Sequence, residues 1–135
     1  RWHIVYKLHP GGYIRWRREY PWLAQQDGVD VISDQKPLYQ LFAESMIQVG
    51  VNSTALFEGL AFGLTTYLAQ LPGVGEMRPL CQRGFAELVS EAEDLHAKIA
   101  EQRDHESVCV EDIFATGSRD KVRAITASLL DHFAK

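Results

Sequence analysis

The run Met46-Ile47-Gln48-Val49-Gly50-Val51, followed by Asn52-Ser53-Thr54, then Ala55-Leu56-Phe57-Glu58-Gly59-Leu60-Ala61-Phe62-Gly63 and Leu64-Thr65-Thr66-Tyr67-Leu68-Ala69-Gln70-Leu71, decides the fold class. Residues 46–51 form a short apolar run of strand length, and Asn52 is a strong helix-capping type. A helix is therefore predicted from Ser53 to about Phe62, with Gly63 placed to end it. Residues 64–71, rich in Thr and aromatic character, read as a second strand. Two strands joined through a helix imply parallel pairing, because a tight turn can only join antiparallel neighbours.

Working outward, the same alternation of strand and helix recurs. Trp2 to Leu8 reads as the first strand, followed by His9-Pro10-Gly11-Gly12 and a helix over Ile14 to Gln25 that Pro21 bends or restarts. Trp16 and Trp22 are expected to pack this helix against the sheet. Val29 to Ile32 is the second strand, and Pro37 suits the first position of a helix with Leu38, Leu41 and Phe42 on its apolar face. After a Pro72-Gly73-Val74-Gly75 loop, a short helix near Met77 to Gln82 precedes a fifth strand over Phe85 to Val89. Ser90 with Glu93 matches a capping box, predicting a helix from Glu91 to about Gln102, and a last helix runs from Ser118 to Phe133. The class is α/β: a Rossmann-like three-layer domain whose parallel sheet has about five strands.

With 135 residues the chain suffices for one domain, residues 1–135, since a domain of roughly 150 residues buries about two-thirds of its unfolded surface. Opening at Arg1 and entering an apolar run at once, it is expected to be a fragment of a longer protein. No apolar stretch approaches the roughly 20 residues of a bilayer span, and no secretory pattern opens the chain. A cytoplasmic location is expected, with membrane association left to the parent protein. The net charge of −4 argues against general nucleic-acid binding, which needs a basic surface. Locally the balance reverses: residues 1–23 carry Arg1, Lys7, Arg15, Arg17 and Arg18 against Glu19 alone. Cys81 and Cys109 belong to no Cys-x-x-Cys pair, so reduced, buried thiols are expected. His96, His105 and Cys109 match no zinc spacing, and no metal is expected.

Two polar signatures follow strands directly, His9-Pro10 after the first and Asn52-Ser53-Thr54 after the third. Ligands of open α/β sheets bind outside the carboxyl ends of strands, so one crevice is expected to collect both. Ser53 and Thr54 open a helix, where free N–H groups and two hydroxyls suit a phosphate; a plain cap is the alternative. Glu58 falls one turn deeper on the same face and suits a ribose diol, or stands as an idle surface acid. His9, stiffened by Pro10, can donate to phosphate or neutralise a leaving anion; its alternative is a structural histidine. Arg15, Arg17 and Arg18 with Lys7 either add positive field near a nucleotide or form a solvated helix face. No phosphate-loop Lys-Ser/Thr, Gly-x-Gly-x-x-Gly or Gly-x-Ser-x-Gly pattern is present.

The order Lys7-Leu8-His9-Pro10, then Ser33-Asp34, then Val49 to Gly59 resembles the carboxyl-terminal domain of GT-B glycosyltransferases, over roughly residues 3 to 90. It is most similar to bacterial sialyltransferases and polysialyltransferases, with their HP and Ser-Ser/Thr motifs, and to CDP-glycerol glycerophosphotransferases. The resemblance implies the donor half of an enzyme of bacterial capsule polysaccharide biosynthesis, transferring sialic acid or glycerol phosphate from a CMP- or CDP-linked donor. By it His9 would be the catalytic contact to the donor phosphate or leaving nucleotide. Pro10, Asn52, Ser53, Thr54 and Glu58 would complete the donor site without metal or further cofactor. The acceptor site and catalytic base would lie in an amino-terminal domain absent from this chain, so the chain alone is not expected to turn over. Two alternatives remain open: a UDP-sugar epimerase of related architecture, and a non-enzymatic flavodoxin-like binding or receiver module. Against the latter, no paired acidic pocket or hydroxyl-rich flavin loop follows the first strand.

Overall fold

The computed structural model describes residues 2–101 and 108–133, which form a mixed α/β fold with two small parallel sheets. The chain divides into two compact units, Arg1–Glu44 and Ser45–Lys135. In the first, β1 (Ile4–Lys7) pairs in parallel with β2 (Val29–Ile32), Ile4 opposite Val29 and Lys7 opposite Ile32. The crossover contains a 3-10 turn at Pro10–Gly12, α1 (Trp16–Glu19) and α2 (Pro21–Ala24). Pro21 does restart the helix: Tyr20 leaves helical geometry at φ −129° and ψ 63°, and Pro21 opens α2, where its missing N–H goes unused. Leu8, Trp16 and Leu23 form the buried core with Tyr13, Val29 and Val31 against it. Trp22, expected to pack inward, is instead exposed, because the break at Tyr20 gives the inward position to Leu23.

Lys7 ties the two carboxyl-end loops of this unit. Its ammonium donates to the Leu8 and Ser33 carbonyls and to the Tyr13 hydroxyl, and it lies 4.9 Å from the Tyr13 ring centroid. α3 (Leu38–Ala43) follows, with Leu41 and Phe42 buried and Pro37 one residue before the first helical position, as its cap.

In the second unit β3 (Ile47–Gly50), β4 (Thr65–Ala69) and β5 (Glu87–Val89) form a parallel sheet in that order. Ile47 stands opposite Thr65, and Tyr67 opposite Glu87. All five expected strands form and all pair in parallel, but in sheets of two and three instead of one sheet of five. Apolar runs mark strands; they do not specify which edges meet. In central β4, Thr66, Tyr67 and Leu68 are all buried, as a strand covered on both faces requires.

α4 (Ala55–Ala61) forms the crossover from β3 to β4. It ends in a Schellman motif: Gly63 N–H donates to the Leu60 carbonyl, Leu64 N–H to the Gly59 carbonyl, and Gly63 takes φ +79°. The core joins Leu56 and Leu60 of α4 to Leu68, Val74, Met77, Leu80 and Ala86. Beneath α4 lies Gln48, whose amide donates to the Leu56 carbonyl and to the Thr66 hydroxyl at 2.8 Å each, while Thr66 donates to the Leu64 carbonyl. Room for Gln48 exists only because residue 59 is glycine; a Cβ there would lie 2.6 Å from the Gln48 Nε2.

Beyond β4 come a 3-10 turn at Val74–Met77, α5 (Arg78–Gln82), β5, α6 (Ala92–Ala100), α7 (Val110–Ile113) and α8 (Ser118–Phe133). The predicted capping box does not form. Glu91 caps α6 without a side-chain bond, and Asp94 accepts the Ser90 N–H at 3.0 Å, because the chain enters the helix one residue later than the pattern assumes. The Lys98–Glu87 pair, 2.7 Å, ties α6 to β5. No helix among the described residues is long and apolar enough to cross a membrane.

Gly59→Ala is expected to destabilise the second unit by about 1–3 kcal/mol in urea denaturation, since Gln48 must leave both of its partners. Gly75→Ala serves as the control, with no atom within 4 Å of its added Cβ, and is expected to stay within about 0.5 kcal/mol. Glu44, at the end of α3, is held below the usual carboxylate range by a hydrogen bond from Lys36 and a second from Gln40. Its contribution to stability is present above the ordinary carboxylate pKa and is lost as pH falls through the lowered one. Lys36→Met is expected to raise the Glu44 titration midpoint observed by NMR.

Candidate functional site

The candidate site is best defined in the second unit, where β3, β4 and β5 run parallel and deliver their following loops to one edge. Val51 to Thr54 follows β3, and Gln70 to Gly73 follows β4. These loops touch: Asn52 Nδ2 donates to Glu76 Oε2 at 2.9 Å, and Gly73 lies against the Asn52 side chain. Asn52 is therefore not the helix cap expected of it. Thr54 occupies that position, already in helical backbone geometry, and makes no side-chain cap bond.

Helix α4 starts at Ala55, two residues later than expected, and this changes which donors are free. Ser53 Oγ accepts the Ala55 N–H at 3.2 Å, while the Leu56 and Phe57 N–H groups donate to the Ser53 and Thr54 carbonyls. The backbone N–H groups of Ser53 and Thr54 have no backbone partner among the described residues. Those two amides, with the exposed hydroxyls of Ser53 and Thr54, make up the donor set of this turn. Glu58 lies in the first turn of α4, half-buried, where its charge complements the positive end of the helix. Glu76 brings a carboxylate to this edge through its bond to Asn52, and Glu58 places a second in the first turn of α4. Glu76 closes the Leu71–Glu76 loop, whose sequence suits a cover over a donor but assigns Glu76 no role of its own; its bond to Asn52 is a finding of the structure.

His9 and Pro10 belong to the first unit and are described there. Leu8 extends the β1–β2 pairing by donating to the Ile32 carbonyl, and His9 then caps the 3-10 turn that Pro10 opens. His9 Nδ1 accepts the Gly11 N–H at 3.2 Å. That bond occupies Nδ1 as an acceptor, so a neutral imidazole carries its proton on Nε2 and offers it outward as a donor. His9 is exposed, as are Pro10, Asn52, Ser53 and Thr54.

Neither thiol completes a site. Cys81 is half-buried and free, with its pKa raised by burial and then by Glu87. Cys109, expected to be buried, is exposed and donates to Glu111 Oε2 at 2.6 Å, a bond that raises the thiol and lowers the carboxyl. His105 lies outside the described residues. Among the described residues no three His, Cys, Asp or Glu side chains cluster as metal ligands.

No protein-family model, curated protein or solved structure matches the chain.

Since the Ser53 hydroxyl holds the Ala55 amide, Ser53→Ala is expected to cost about 1 kcal/mol of stability. Thr54→Ala, which removes no cap bond, is expected to stay within about 0.5 kcal/mol. Urea denaturation of the two variants distinguishes them.

Proposed function

We propose that this chain is the donor-nucleotide-binding part of a GT-B glycosyltransferase, and that the edge beyond β3 and β4 holds the phosphate of a CMP- or CDP-activated donor. One observation carries the reading: at the carboxyl ends of parallel strands, Ser53 and Thr54 bring two amides with no backbone partner among the described residues, and two exposed hydroxyls, beside a loop pinned by Asn52 and Glu76. Such directed donors stabilise a phosphate and the charge that develops on a departing nucleotide. With Glu58 and Glu76 nearby, anion binding here rests on directed hydrogen bonds, not on a net positive field. Glu58 supplies an acceptor for ribose hydroxyls. For His9, in the first unit, the reading rests on the resemblance alone, which implies a contact to the donor phosphate or the leaving nucleotide; its exposed imidazole has Nε2 left to make one. The Rossmann-like three-layer domain and the transfer of sialic acid or glycerol phosphate belong to the same proposal. So do an acceptor-binding domain elsewhere in the parent protein and a cytoplasmic, capsule-building setting.

Titration of the chain with CMP, CDP and UDP, followed by calorimetry, tests the reading. Saturable binding that prefers the cytidine nucleotides is expected, with Thr54→Ala and His9→Ala each weakening it about tenfold, the loss of one charge-assisted hydrogen bond. Preference for UDP points to the epimerase-like alternative. Affinity unchanged in both variants removes the assigned residues.

A further inference from the structure

The basic segment of the first unit is not accounted for by the donor site. Across α1 and α2 only Trp16 and Leu23 are buried. Ile14 is 97% exposed, Trp22 60% and Tyr20 42%, and Arg15, Arg17 and Arg18 are exposed among them. Arg15 pairs with Glu19 at 3.4 Å and donates to the Gly11 carbonyl; Arg17 lies 4.6 Å over the Trp16 ring. Arg18 has no side-chain partner among the described residues. Three guanidinium groups against one carboxylate therefore flank an isoleucine that has almost no protein contact.

We propose that the segment from Ile14 to Trp22 docks the chain on an anionic bilayer surface. Arginine pairs with lipid phosphate through two parallel hydrogen bonds, and exposed Trp and Tyr favour the headgroup level, where an apolar body and a polar tip are both satisfied. Ile14 supplies the apolar group that enters the acyl boundary. Trp16 and Leu23 stay in the core, so docking requires no unfolding. A small anion would leave Ile14 and Trp22 without a role. A nucleic acid would meet a chain of net charge −4, in which 18 Asp and Glu outnumber 14 Lys and Arg. A second copy would bring two arginine triads together, and like charges across an interface oppose association. The segment lies on the membrane and does not span it.

Co-sedimentation of the full chain with vesicles of phosphatidylcholine alone, or of phosphatidylcholine with phosphatidylglycerol, tests the proposal. Binding to the anionic vesicles only is expected, with a blue shift of tryptophan emission and release at raised salt. Arg15→Gln with Arg18→Gln is expected to weaken partitioning about 30-fold, from the usual contribution of each basic residue near an anionic surface. Ile14→Asp is expected to abolish the blue shift. These side chains point outward, so circular dichroism of the variants should match the parent; Trp22→Ala replaces any variant that does not fold. The proposal is overturned by absence of binding, by equal binding to both vesicles, or by binding that no variant alters. A lipid-independent dimer that Ile14→Asp dissolves overturns it as well.

Discussion

The arrangement of the second unit depends on a polar wedge, the Gln48 amide held between β3, β4 and α4. A glutamine at such a place is costly unless its donors are satisfied, and both bonds are made, to the Leu56 carbonyl and the Thr66 hydroxyl. The second bond crosses from β3 to β4, and the first reaches the opening turn of α4. Gly59 lets the helix settle close enough for this to happen. Together these contacts tie the opening turn of α4 to β3 and β4, directly after the turn that holds Ser53 and Thr54.

That turn offers direction more than charge. A seven-residue helix whose first N–H groups are already engaged contributes little beyond its dipole, so the free donors sit one step earlier, on Ser53 and Thr54. Asn52 leaves the helix altogether and joins Glu76 across the loops. The first unit uses a comparable device at its own carboxyl edge, where Lys7 gathers the loops after β1 and β2 and His9 is fixed through Nδ1. In each unit a side chain from the end of one strand organises the loop that follows the next.

Much of this was readable from local pattern. The run Val29–Ile32 is a strand over the bounds its pattern predicts, Pro21 divides the first helical stretch, and Gly63 ends α4 in the left-handed conformation it favours. Each is a local effect of ring, missing donor or missing Cβ. The errors share a cause too. Asn52, Ser90 and Glu93 have the residue types of caps, but whether a side chain caps depends on where the helix starts, within one residue. Trp22 and Cys109 are types usually found inside, yet exposure follows from which neighbours arrive to cover them.

By itself, then, the sequence determined the α/β class, the five strands and their parallel sense, because periodicity and backbone restrictions act over a few residues. Only the tertiary structure decided that the strands divide into sheets of two and three, that Asn52 turns to Glu76, and that Gln48 occupies the space left by Gly59. Those outcomes depend on which edges and side chains meet at sequence separations of 11 for Gln48 and Gly59, 24 for Asn52 and Glu76, and 25 for the paired Ile4 and Val29. No local signal carries that information, since each partner is compatible with several others until packing selects one.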